Sequence, residues 1–179
     1  MKKTLCLDLN NILLNVYFYA AENTDVVLNI IGTNEEISIK LKPFAFNFLE
    51  DVKSKYELIL YSFLNRKYLL AILKYLERDK KYFEYTLDES YCLYANVFQG
   101  VKYLNFLCST RSLSNIVVVD TSVKNFPLDP DNFIPALSSS TFLPKLGRIL
   151  NFIAKESDVR KVIKKYSERT INNQISNQV

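Results

Sequence analysis

Three short apolar runs constrain this chain more than anything else in it. Each closes on a polar side chain: "TLCLD" on Asp8, "ELILYS" on Ser62 and "NIVVVD" on Asp120. The runs are too short for helices, and apolar throughout rather than alternating, which is the pattern of strands buried on both faces. Between them the spacing predicts helices. Pro43 opens "PFAFNFLEDVKSKY", in which Phe44, Phe48, Leu49 and Val52 share one helical face. "NRKYLLAILKYLERD" repeats Leu69, Ile72, Leu73 and Leu76 at helical spacing. "LPKLGRILNFIAKESDVRKVIKKY" reads as one helix or two, with Leu146, Ile149, Leu150 and Ile153 as the buried stripe. Strand–helix alternation implies an α/β domain with a mainly parallel central sheet and right-handed crossovers. Ligands bind such sheets at the carboxyl ends of the strands. Asp8, Ser62 and Asp120 are therefore expected to meet along one sheet edge.

The intervening stretches add detail. "DVVLNIIG" (25–32) and "EEISIKL" (35–41) read as two strands joined by a turn around Gly32, Thr33 and Asn34, a small β insertion after the first strand. The aromatic-rich stretch 81–108 suggests short strands near Tyr85 and Val97. "FPLDPDNFIP" (126–135) reads as a proline-rich loop. The domain is expected to span residues 1–166, with a polar tail over 167–179.

Composition removes several classes of chemistry. Histidine is absent, which excludes His-based triads, His general bases and His metal ligands. Cys6, Cys92 and Cys108 form no CxxC pair, so neither a zinc site nor a disulfide framework is indicated, and a reducing, intracellular compartment (cytoplasmic or nuclear) is expected. With three glycines there is no Gly-rich phosphate loop. No run is long enough for a membrane span, and Asp8 and Asn10 break the run that a signal peptide would need. The net charge of +4 suits an acidic or phosphorylated partner, while the lack of a concentrated basic stripe argues against nucleic acid. The densest basic stretch, "RKVIKKYSER" (160–169), reads as a solvated helix face or as a binding patch.

A carboxylate at a strand end can attack phosphorus and form an aspartyl-phosphate. It then needs a cation against the incoming negative charge, usually Mg²⁺ with oxygen ligands, and a hydroxyl and a lysine to hold the phosphoryl oxygens. Asp8, Ser62 and Asp120, with a lysine nearby, are a set of that kind.

Five stretches in order, from Lys3 to Tyr166, resemble the haloacid dehalogenase (HAD) superfamily, and within it the Fcp1/SCP-like, NLI-interacting-factor phosphatases. "LCLDLNNILLN" is similar to that family's LVLDLDETLIH opening. "IKLKPFAFNFLEDVKSKYELILYS" aligns with the family's next segment with no gap needed, "FLNRKYLLAILKYLE" continues it, and "RSLSNIVVVDTSVKNFPLDPDNFIP" and "ESDVRKVI" complete the series. The resemblance implies a HAD-like, Rossmannoid three-layer fold. It implies that Asp8 is the nucleophile and a Mg²⁺ ligand, that Ser62 hydrogen-bonds the phosphoryl group, that Lys102 neutralises it, and that Asp120 ligates the metal. Taken alone, Ser62 is equally a helix cap and Lys102 equally a surface lysine.

The departures bear on activity. Asn10 stands where the family has a second Asp, the acid that protonates the leaving oxygen and then activates water; an amide has no titratable proton for either step. The main-chain carbonyl at that position ligates metal in the family and survives the change. Thr121 replaces the family's metal-contacting Asn. Lys102 requires a two-residue insertion, because counting back from Arg111 without one lands on Leu104. Asp88 replaces an Arg, which disfavours an acidic peptide at that point. The resemblance therefore implies a protein or phosphopeptide partner and a weakened Mg²⁺ site. Two functions remain: a degenerate phosphatase fold used for protein binding or regulation, as in the superfamily's Tim50-like branch, or an active Mg²⁺-dependent serine/threonine phosphatase working through Asp8.

Overall fold

Alternating strands and helices organise the chain around one parallel sheet. The computed structural model describes residues 2–19, 21–96, 99–126 and 129–166. In order the elements are β1 (Lys3–Leu7), β2 (Leu14–Tyr17), β3 (Val26–Asn29), β4 (Glu36–Leu41), α1 (Ala45–Lys53), β5 (Tyr56–Tyr61) and α2 (Arg66–Leu76). There follow β6 (Tyr85–Leu87), β7 (Leu93–Asn96), β8 (Gln99–Val101), α3 (Asn105–Cys108), β9 (Ile116–Asp120), β10 (Phe133–Pro135) and α4 (Phe142–Ile153). Residues 159–166 are again helical, so the C-terminal stretch is two helices among the described residues. Val97 and the tail over 167–179 lie outside the described residues.

The central sheet runs β10-β9-β1-β5-β6 and is parallel at every pairing. Leu5, Leu7, Leu58, Leu60, Val117 and Val119 belong to one core cluster, and Cys6, Ile59, Tyr61, Ile116 and Val118 to another. Successive side chains along a strand go to opposite faces, so two cores on two faces account for strands that are apolar at every position. Leu7 is level with Leu60 on one side and Val119 on the other, which brings the three polar chain positions that follow to the same edge.

The insertion after β1 is an antiparallel sheet, β2-β4-β3, as expected for residues 25–41, with one strand more than the sequence suggested. β2 has only four residues, one of them Asn15, and its signal is non-local: it exists because Leu14 pairs with Leu41 and Tyr17 with Ser38. The proline-rich stretch 126–135 also ends differently from the expected loop. Phe133, Ile134 and Pro135 form β10 beside Val118, Val119 and Asp120. A proline fits there because β10 is an edge strand, where a missing N–H can face away from the ladder. Buried Asn132 anchors the entry, its Nδ2 donating to Leu113 O and Ile116 O at 2.6 Å each.

Helix α1 begins two residues later than Pro43 suggests. Phe44 is left-handed, with φ of 67°, and its carbonyl accepts the first helical bond from Phe48 N at 2.9 Å. It is 57% exposed and so stands apart from Phe48, Leu49 and Val52, which are buried. A bulky residue in this conformation is strained by about 1–2 kcal/mol. Phe44→Gly is expected to raise stability by about 1 kcal/mol, or roughly 2–4 °C in Tm, as read by thermal denaturation. A fall in Tm would show that the ring's packing outweighs the backbone strain.

Helix α2 starts at an Asn65 cap that accepts from Lys67 N, and buries Leu69, Ile72, Leu73 and Leu76 as its spacing predicts. Helix α4 buries Leu146, Leu150 and Ile153, while Ile149 is only half-buried. Tyr56 ties α4 to the sheet, its hydroxyl donating to Leu150 O at 2.6 Å. No helix among the described residues is long and apolar enough to cross a membrane.

Candidate functional site

The carboxyl edge of the sheet gathers a cluster of charges. Asp8 follows β1 directly, and its amide donates to Val119 O at 3.0 Å, which locks it beside the end of β9. Lys102 follows β8; its amide donates to Asn125 O at 2.6 Å, and its ammonium is pulled inward. Lys102 Nζ lies 2.6 Å from Asp120 Oδ2 and 3.1 Å from Asp8 Oδ1. Lys102 is fully buried, with Nζ 4.6 Å from the ring centre of Phe63, 5.5 Å from that of Tyr61 and 5.7 Å from that of Phe126. These aromatic faces and two carboxylates together replace the water that a lysine normally keeps.

The charges shift one another. Burial pushes the Asp8 carboxyl up to about 6; Lys102 pulls it down, and Asp120 pushes it up again. Burial alone would lower the Lys102 ammonium, but Asp8 and Asp120 outweigh it and hold the group above the ordinary lysine range. Asp8 Oδ1 is buried and has no aligned hydrogen bond in addition to its ion-pair contact with Lys102.

Asp120 is held from several sides. Its Oδ1 accepts from Thr121 N at 2.6 Å, Asn125 Nδ2 at 2.6 Å and Thr121 Oγ1 at 3.3 Å. Asn125 escaped the sequence reading, because nothing in "TSVKN" separates it from an ordinary turn residue. It sits on the short 3₁₀ turn Val123–Asn125, and there its amide and its main-chain carbonyl hold Asp120 and Lys102 respectively. It is a positioning residue for both.

The remaining sequence-selected residues are at the same edge in structural roles. Ser62 is 1% exposed; its amide donates to Leu87 O and its hydroxyl accepts from Leu64 N at 3.2 Å. Asn10 Oδ1 accepts from Val16 N at 3.0 Å, pinning the loop to β2. Its neighbour Asn11 takes a left-handed conformation, φ 65°, which asparagine tolerates. Asp88 is also internal: it accepts from Ser90 N and Ser90 Oγ and pairs with Arg66 at 3.2 Å. Burial opposes its charge, yet these partners hold its carboxyl below the usual range. The Asp88 position therefore presents the exposed guanidinium of Arg66 rather than a bare acid.

No cluster of three or more His, Cys, Asp and Glu side chains able to hold a metal occurs among the described residues. Two carboxylates with hard oxygen donors, Asp8 and Asp120, do stand together around Lys102. Mg²⁺ keeps most of its waters and often uses only one or two carboxylates. Buried Asp8 Oδ1, which meets Lys102 as an ion pair without an aligned hydrogen bond, fits such an ion. Thr121 offers it less, because its hydroxyl is turned to Asp120; the Asn10 side chain is turned to Val16 N, which leaves the main-chain carbonyl of Asn10 as the ligand that position would supply.

A model of the "NLI interacting factor-like phosphatase" family matches residues 3–160. The chain belongs to that family. Among curated NLI interacting factor-like relatives, a "Probable C-terminal domain small phosphatase" of Dictyostelium discoideum is 29% identical over 168 residues, covering 90% of this chain and 54% of its own length. The human "CTD small phosphatase-like protein" is 25% identical over 176 residues, covering 94% and 62%. A more distant relative is the Candida glabrata "Mitochondrial import inner membrane translocase subunit TIM50", 25% identical over 134 residues and covering 72% and 27%. The chain thus spans just over half the length of the first of these relatives. Among solved structures, Fcp1, described as "an essential RNA polymerase II CTD phosphatase", superposes with a TM-score of 0.60 at 17% identity, covering 93% of this chain and 53% of that one. That likeness shows the HAD-like fold.

Proposed function

We propose that this NLI interacting factor-like chain is a catalytically degenerate phosphatase-fold protein that serves as a protein-binding or regulatory module. The observation that carries the reading is Asn10. In this position it offers an amide whose oxygen is committed to Val16 N. An amide can neither give a proton to a leaving oxygen nor take one from water.

The rest of the edge favours binding of a phosphoryl group over its turnover. Asp8 would face the phosphorus, Lys102 would offset charge between Asp8 and Asp120, and Ser62 stands at the neighbouring strand end. Asp8 and Asp120 would hold Mg²⁺, which when bound supplies positive charge against the phosphoryl oxygens. Lys102 keeps its proton throughout, because both carboxylates favour the charged form. No group at the position of Asn10 then moves the proton that each half of a phosphatase cycle requires. The partner class that suits the site is a protein or phosphopeptide, in line with relatives named as C-terminal-domain phosphatases. The relative named as a translocase subunit fits a use of this domain other than phosphate release.

The test is hydrolysis of para-nitrophenyl phosphate with Mg²⁺. The natural chain is expected to match an Asp8→Asn control. Turnover that Asp8→Asn abolishes would overturn the degenerate reading. It would leave the second one, a Mg²⁺-dependent serine/threonine phosphatase forming an aspartyl-phosphate on Asp8.

A further inference from the structure

The C-terminal basic stretch has no part in the site just described, yet the fold gives it a specific setting. The helix over 159–166 is held to the core by Val159 and Ile163, which are 0% and 1% exposed. Val162 and Tyr166 lie one step around the same helix, at i+3 and i+7 from Val159, and are only half-buried. They face Ile149 and Phe152 of α4 across a groove of about 560 Å³. Ile149 is the α4 stripe residue that burial left incomplete, and Phe152 is 57% exposed. The groove therefore has an apolar floor built from two helices.

Its rim is charged with one sign in excess. Arg148, Lys161 and Lys165 line it, against Glu156. Arg160, on the same helix, is paired to Asp158 at 2.7 Å, whereas Arg148, Lys161 and Lys165 form no salt bridge with another described residue. Charged residues that serve only solubility are usually mixed in sign around polar surface. Here unpaired cations surround a half-open apolar strip, which is the complement of an amphipathic helix with an acidic outer face.

We propose that the groove between α4 and the helix over 159–166 docks an acidic amphipathic helix of a protein partner, with its apolar side on Ile149, Phe152 and Val162 and its carboxylates on Arg148, Lys161 and Lys165. The apolar floor favours a protein over a nucleic acid, whose backbone would engage the cations and leave Phe152 and Ile149 unused. The surface is separate from Asp8 and Lys102, so it holds whether or not Asp8 turns over phosphate.

The experiment uses the full chain and a fluorescein-labelled synthetic helix of about 18 residues, with leucines at i, i+3, i+4 and i+7 and glutamates outward. Anisotropy is expected to give a Kd on the order of micromolar. Phe152→Ala, at an exposed position, should weaken binding about tenfold or more. Lys161→Glu/Lys165→Glu should do the same, and an otherwise identical peptide with lysines outward should not bind. Circular dichroism of the variants checks that they remain folded. Absence of saturable binding, or equal binding by the variants, would overturn the proposal. So would capture of an RNA or DNA oligonucleotide that Phe152→Ala leaves intact, since that would make the surface a nucleic-acid patch. Peptide binding that appears only after residues 167–179 are removed would assign the groove to the chain's own end. Self-association in sedimentation that Phe152→Ala abolishes would assign it to a second copy.

Discussion

Asn10→Asp is expected to raise the rate of para-nitrophenyl phosphate hydrolysis over the natural chain by a factor of about 10²–10⁴, the usual worth of a positioned general acid–base group. The substitution is nearly isosteric. A carboxylate oxygen can accept from Val16 N as the Asn10 amide now does at 3.0 Å, so the loop between β1 and β2 should keep its shape. The second oxygen would then be free to move a proton. The partly buried setting of Asn10 also suits such a group, because burial lifts a carboxyl towards neutral pH. Rate against pH is the fuller measurement. A restored enzyme should show a new ionisation that the natural chain lacks, and Asp8→Asn in the same background should erase both rate and ionisation. If Asn10→Asp gains nothing while remaining folded and Mg²⁺-responsive, Asn10 is not what limits turnover, and the committed state of Asp120 or Thr121 becomes the better explanation.

Lys102→Met should be the most damaging single change to stability. It keeps the side chain's length and apolar stem but leaves Asp8 and Asp120 buried without their cation. Removing one partner of a buried ion pair costs about 3–5 kcal/mol, which for a domain of this size lowers Tm by roughly 6–20 °C. The loss should depend on pH. Asp8 already has a folded pKa near 6, above its usual 3.8, so in the natural chain its contribution to stability falls as pH rises from about 4 to 6. Without Lys102, the cation that pulls it down, the folded pKa of Asp8 moves further up, and the decline extends towards neutral pH and beyond. The deficit of Lys102→Met should therefore be smallest in acid, where the Asp8 carboxyl is protonated, and largest above neutrality. Urea denaturation at pH 5 and pH 8, with divalent cations chelated, measures it. Equal deficits at the two pH values would show that the cost is lost packing against Phe63, Tyr61 and Phe126 rather than uncompensated charge.

Legibility in the sequence followed the range of the interactions involved. The strands ending at Asp8, Ser62 and Asp120 were readable because burial on both faces makes every residue apolar, and the single polar terminus then stands out. The faces of α2 and most of α4 were readable because helical spacing is a local signal. β2 and β10 were not. Each has no more than four residues, and each depends on a partner strand far away in the chain. The start of α1 was misplaced for a related reason: proline is permissive at a first turn but does not compel one, and Phe44 takes a left-handed conformation with no glycine to announce it.

For the site, Asp8, Ser62 and Asp120 could be singled out from residue type and order alone, since a polar residue that ends a buried strand is visible in one dimension, whereas the weight of Asn10 came from the resemblance to the family's opening motif. The sequence by itself thus determined the fold class and which carboxylates would share an edge. The resemblance offered Lys102 only with a two-residue insertion, and tertiary structure decided that it sits between them and what holds it there. Lys102 is drawn between Asp8 and Asp120 by charge, enclosed by Phe63, Tyr61 and Phe126, and anchored through Asn125. Those contacts cross long stretches of chain, and their energy arises from desolvation and Coulomb attraction in a buried space that exists only once the sheet and its covering loops are assembled.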